Sequence, residues 1–175
     1  MFKYLKQIQL LALFVIFFGL TFIAQADEYV AERQLIKVSA EWKYRVVYDI
    51  RSDDISAGIN NGLYYIRGLL EAFGKQNVKP EQLDIHLVMH SAAAKALLIN
   101  DTFQMASDDP FAVNPNADIV DDLISRGVSV EICNSAMKSK GWTEKDILPK
   151  VMIVHDGYTR LIKLQNDGYA YIGGF

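Results

Sequence analysis

One cysteine, three histidines and a few acidic and basic side chains hold most of the chemical potential of this sequence. Cys133 is the single cysteine and closes the β-branched run Val128-Ser129-Val130-Glu131-Ile132-Cys133. Asp49 and Arg51 stand at the end of Tyr44-Arg45-Val46-Val47-Tyr48-Asp49-Ile50, His90 at the end of Leu83 to Met89, and His155 after Val151-Met152-Ile153-Val154. Runs of this kind read as strands. A thiol at a strand-to-helix turn meets unpaired backbone N–H groups and a helix dipole, both of which favour a thiolate. Because Cys133 has no partner within the chain, it is a candidate free, reactive thiol. The plain alternative is a small buried hydrophobe ending a core strand.

Other chemistries fare worse. His86 and His90 lie four apart on one strand, which separates them by ~13 Å and prevents them from sharing a metal ion. A site built from Cys133, His90 and His155 would need convergence of three strand ends, and the ligand spacing has no zinc signature, so no metal is expected. Asp49-Ile50-Arg51-Ser52-Asp53-Asp54 has no glycine run and three acids, which argues against a phosphate cradle. No Gly-x-Ser-x-Gly elbow is present to mark a serine hydrolase. Asn100-Asp101-Thr102 is formally a glycosylation acceptor.

The elements that must position these residues alternate. Ile55, Ile59, Leu63, Ile66, Leu70 and Phe73 recur at steps of three and four and predict one long helix, with Gly74 placed to end it in the left-handed conformation. Gly58 and Gly62 share a face of that helix, which suggests close packing. An alanine-rich helix is expected over Ala92 to Leu98, a further helix on Ile119, Val120, Leu123 and Ile124 with Asn116 as a possible cap, and short helices at Ser135 to Lys140 and Tyr158 to Asn166. Thr143-Glu144-Lys145-Asp146 resembles a capping box. Residues 100 to 116 are polar, hold Pro110 and Pro115 and show no period, so a long loop serving as lid, binding loop or oligomer contact is expected. Strand and helix alternating five times implies a three-layer α/β/α sandwich around a mostly parallel sheet of about five strands. In such a sheet, sites lie outside the carboxyl ends of the strands.

Composition sets the frame. The chain has 175 residues, 51% of them hydrophobic, with 18 Lys+Arg against 21 Asp+Glu. That suits one globular domain, excludes disorder, and leaves no positive surplus for nucleic acid. Lys3 and Lys6, an apolar run from Leu10 to Ile23 and Ala24-Gln25-Ala26 read as a cleaved signal peptide over residues 1–26. That run falls short of the ~18 residues of a membrane span. Cleavage would leave 149 residues, acidic, periplasmic or secreted, without stable membrane insertion. A polar arm (27–43) then precedes the domain (44–175).

The segment Cys133-Asn134-Ser135-Ala136-Met137-Lys138-Ser139-Lys140-Gly141 resembles the cysteine-centred segment of the DsrE/DsrF-like family, in which a cysteine ends a strand and a basic, small-residue helix closing in glycine follows. The first helix, Gly127-Val128, Leu148-Pro149 and Gly168-Tyr169-Ala170-Tyr171-Ile172 also look like this family. The resemblance implies a parallel-sheet subunit of homotrimers or hexamers and, in the characterised branch, a cysteine carrying sulfane sulfur as a persulfide. Cys133 is the matching position. The relay members work in the cytoplasm, whereas residues 1–26 of this chain read as an export signal, and exported members of uncharacterised role look closer. The expected activity is that of a sulfurtransferase or sulfur-carrier component without cofactor, taking sulfur from a small donor and passing it to an acceptor thiol. Arg51, His90, Asn134 and Ser135 are the candidates to stabilise the thiolate or persulfide. The alternative is an oligomeric binding module with an inert cysteine, in which residues 100–116 do the work. Phe103, Met105 and Phe111 add a hint of a subunit contact there.

Overall fold

A computed structural model of the chain describes residues 33–175. The expected signal peptide, and the start of the arm after it, lie outside the described residues. Val38 to Phe175 form one compact unit. Five strands make an entirely parallel sheet: β1 (Tyr44–Ile50), β4 (Leu83–Met89), β5 (Ser129–Cys133), β6 (Met152–Val154) and β7 (Ala170–Ile172), in the order β6-β5-β4-β1-β7. A small antiparallel hairpin, β2 (Ile55–Ser56) with β3 (Ile59–Asn60), stands apart from it. The helices are α1 (Asn61–Gly74), α2 (Asn100–Ser107), α3 (Ala117–Ser125), α4 (Asn134–Lys140) and α5 (Gly157–Asn166), with 3-10 turns at Pro80–Gln82, Ser91–Leu97 and Glu144–Asp146. The result is a three-layer α/β/α sandwich.

The direction of strand addition explains the unequal layers. From β1 the chain adds β4, β5 and β6 outward on one side, and then returns to place β7 on the other side of β1. Right-handed crossovers running in opposite directions put their helices on opposite faces. The first face therefore carries the main core, where Val46, Tyr48, Ile50, Leu87, Met89 and Ile132 pack with Leu63, Ile66 and Leu123. The second face is covered by α5, and its apolar cluster is small: Val47, Val88, Leu161 and Leu164. The rest of that second face is polar, and both clusters of buried ionisable groups lie on it.

Several local expectations need correction. The long helix does not begin at Ile55. Ile55 and Ile59 belong to the hairpin, whose turn uses Gly58 at φ 83°, and Asn60 caps α1 by accepting the Gly62 N–H at 3.0 Å. Gly62 does mark a close approach, since a Cβ there would lie 2.3 Å from Ile50 Cδ1. Gly74 is the last helical residue, and the left-handed turn falls at Asn77 (φ 63°). The expected loop over 100–116 contains α2, which ends in left-handed Asp108. Its remainder is tied down by buried Asn114, whose Nδ2 donates to the Ala96 and Leu98 carbonyls, and by Asn116, whose Oδ1 accepts the Asn60 N–H. The capping box at Thr143 forms, with Asp146 accepting from both the Thr143 N–H and its hydroxyl.

Candidate functional site

Register brings the sequence-predicted residues to one end of the sheet. Asp49 sits opposite Val88 and Cys133 opposite Val154, so Asp49, His90 and Cys133 all follow the side-chain alternation onto the face that α5 covers. Cys133 is 4% exposed and has no disulfide partner. Its side chain makes no cap for α4. Instead Sγ accepts the backbone N–H of Gly157, the first residue of α5, at 3.2 Å. A donor on sulfur stabilises negative charge there. The neighbouring Asp156 caps α5, accepting the Thr159 N–H at 3.1 Å, and that hydrogen bond holds its carboxyl below the usual range. The approach at Gly157 is close, since a Cβ there would stand 3.2 Å from His90 Cγ. Gly157 thus sits between the thiol and the imidazole.

His90 is 3% exposed and does not bond the sulfur. Nε2 meets Asp49 Oδ1 at 2.8 Å, and Nδ1 meets the Ser91 hydroxyl at 3.2 Å. Asp49, also buried, accepts the Tyr171 hydroxyl at 2.6 Å and pairs with Arg51 Nε at 3.3 Å. The hydrogen bond to Asp49 raises Tyr171 above the ordinary phenol value, and the Asp49 charge raises Arg51. Arg51 therefore spends its charge on Asp49.

A cleft of about 440 Å³ opens beside the thiol, lined by Cys133, His90, Ser135, Lys140, Gly157 and Tyr158 among others. Ser135 lies on its wall, its hydroxyl 3.4 Å from the His155 carbonyl, and Asn134 does not line it. A second cleft of about 620 Å³ shares Ser91, Ala92 and Lys140 with the first and runs on to Trp142 and Met105. The structure thus gathers Cys133, His90 and Ser135 around one opening and leaves Arg51 and Asn134 off its lining. Among the described residues no group of three His, Cys, Asp or Glu side chains is placed to hold a metal ion. Sequence reasoning missed Ser91, Gly157, Tyr158 and Tyr171. Asp156-Gly157, an Asx cap followed by glycine after a strand, was a usable signal; the other three had none.

Fold and site define a parallel α/β subunit with a thiol-lined cleft at the carboxyl edge of its sheet. The DsrE/DsrF-like family pattern matches residues 56–173, and the chain belongs to this family. Among solved structures it is similar to a protein of unknown function, MTH1491, from Methanobacterium thermoautotrophicum, at 23% identity over 75% of this chain and 100% of that one (TM-score 0.57). It is also similar to the ychN protein from E. coli, at 16% identity over 75% of this chain and 99% of that one (TM-score 0.55). At these identities the likeness speaks for the fold. No curated protein matches the chain.

Proposed function

We propose that this chain is an exported sulfur carrier or sulfurtransferase component that holds sulfane sulfur on Cys133. The observation that carries the reading is the placement of Cys133 Sγ at the cleft, accepting the Gly157 N–H. In the step proposed, the Cys133 thiolate attacks the terminal sulfur of a small polysulfide or persulfide. The donor's S–S bond breaks, the released thiolate takes a proton from solvent, and Cys133 is left as an anionic persulfide. The same N–H that faces the thiolate suits this second anion. With no second cysteine in the chain, sulfur leaves by attack of a separate acceptor thiol on the outer sulfur, which regenerates Cys133. Burial of the thiol favours small donors that can enter the cleft.

Export is supported by Lys3, Lys6, the Leu10 to Ile23 run and Ala24-Gln25-Ala26. Amino-terminal sequencing that finds Asp27 first would agree, and Met1 retained in a membrane fraction would not. Self-association as a trimer or hexamer is supported by the family and by outward-facing Tyr158 and Ile162 on α5, 56% and 57% exposed. A monomer in light scattering would count against it. The competing reading, a binding module with an inert cysteine, draws on the 4% exposure of Cys133. Turnover of sulfane sulfur from a polysulfide to a small thiol separates the two. The carrier reading expects turnover in the wild type and none in Cys133→Ser.

A further inference from the structure

The Asp49–His90–Ser91 chain goes beyond the chemistry of Cys133. We propose that Ser91 is a second nucleophile, activated by His90 and Asp49, and that it takes the acyl group of small uncharged esters. A carboxylate can only accept, so the 2.8 Å contact with Asp49 places the imidazole proton on Nε2. Nδ1 is then a lone pair, and the Ser91 hydroxyl at 3.2 Å is the donor that faces it. That separation is at the long end of the range for a catalytic pair without substrate. The acid that orients the base is itself held, by Tyr171 at 2.6 Å and Arg51 at 3.3 Å. The ring is further confined by Gly157, which packs against it, and by the Tyr158 ring, which meets it edge-on at 5.0 Å. Nucleophile, base and orienting acid are therefore all present.

Ser91 is also the exposed member of this otherwise buried chain. It turns the backbone between β4 and the following 3-10 helix at φ 55°, a left-handed conformation that a serine adopts only under local strain. It lines both clefts. In the larger one, Lys95 and Lys140 are matched by Asp53 and Asp146, while Met105 and Trp142 supply apolar wall. A neutral ester with a short acyl or aryl body fits that balance.

In the reaction, Ser91 Oγ bonds to the carbonyl carbon and its proton passes to His90 Nδ1. The resulting imidazolium faces Asp49. Collapse of the tetrahedral adduct breaks the ester C–O bond, and the leaving alcohol takes the proton from Nδ1. Water then attacks the acyl-serine by the same route, releasing the carboxylic acid and restoring Ser91.

The test uses the full chain with p-nitrophenyl acetate for turnover and a fluorophosphonate for covalent labelling, the adduct being located by peptide mass spectrometry. We expect the adduct on Ser91, and turnover at least tenfold lower in Ser91→Ala, a change at an exposed residue. Asp49→Asn, which disfavours the required tautomer, should label at the same residue at least tenfold more slowly. The proposal is overturned if folded wild-type protein carries no adduct on Ser91, or if Ser91→Ala hydrolyses the ester at the wild-type rate. Acetyl transfer found on Cys133 alone would assign the turnover to the thiol and overturn it as well.

Discussion

Two histidines on the same sheet face, four residues apart in sequence, one partly and one fully buried, meet opposite fates. His86 sits in an ion-pair cluster, between Glu131 and the half-exposed Asp84. Its Nδ1 contacts Glu131 at 2.5 Å, and Glu131 is fully buried. Arg160 on α5 grips Glu131 through two bonds, at 2.7 and 2.8 Å, while Ser129 adds a third at 3.0 Å. Both ring nitrogens of His86 thus meet carboxylates of the protein. His90, at the strand end, shares the pattern of a histidine on an acid, but its second nitrogen meets a hydroxyl that opens on a cleft. The first cluster fastens the single covering helix to a polar face with little apolar area to bury. The second is the place where the same polarity reaches solvent and can act. Position along the strand makes the difference: His86 lies within β4, whereas His90 follows its end, where the cleft opens.

The comparison breaks first at Glu131. Glu131→Ala removes the acid that both Arg160 and His86 face; His86 keeps Asp84 at 3.3 Å, but Arg160 loses both of its carboxylate bonds. We expect a loss on the order of 3 kcal/mol of stability by urea denaturation, greater than any single change near His90. Acid should find the same group. Burial pushes Glu131 up, but the hydrogen bonds and charges of Arg160 and His86 outweigh it and hold it at about 2, against an ordinary 4.5. A carboxylate depressed in the folded state contributes its full stability above the unfolded value. That contribution fades as pH falls from about 4.5 toward 2. Urea midpoints measured down this range should fall steeply in the wild type and flatten in Glu131→Gln.

Near the cleft the effects on stability should be smaller and those on chemistry larger. Gly157→Ala places a Cβ 3.2 Å from the His90 ring, which costs about 1–2 kcal/mol and moves the N–H away from Cys133. Sulfur uptake by this variant should slow several-fold while its far-ultraviolet spectrum stays native. Tyr171→Phe removes one donor from Asp49 and should cost about 1 kcal/mol, with little change in sulfur uptake. An equal loss of uptake in the two variants would mean that touching the thiol and steadying Asp49 matter alike.

The layered architecture was legible because parallel strands buried on both faces leave unbroken apolar runs, as in Val46 to Tyr48 or Leu87 to Met89. Cys133, His90 and Asp49 were legible as strand-end residues for the same reason. Their partners were not. The Asp49–His90 bond depends on β4 lying beside β1, and Tyr171 reaches Asp49 only because the final strand crosses to the far edge, neither of which periodicity encodes. The helix start was misplaced because Ile55 and Ile59 continue the four-residue step by coincidence while Gly58 turns a hairpin. Helix α2 was invisible because only Thr102 is fully buried and Phe103 partly so, too few positions to make a periodic apolar face.

Whether Cys133 holds sulfane sulfur is decided by mass spectrometry of the intact folded chain after exposure to polysulfide. We expect the added mass of sulfur on the wild type, removable by a reducing thiol, and none on Cys133→Ser. A wild-type chain that gains no sulfur, and whose thiol also resists alkylation at neutral pH, would contradict it and leave Cys133 as part of the core.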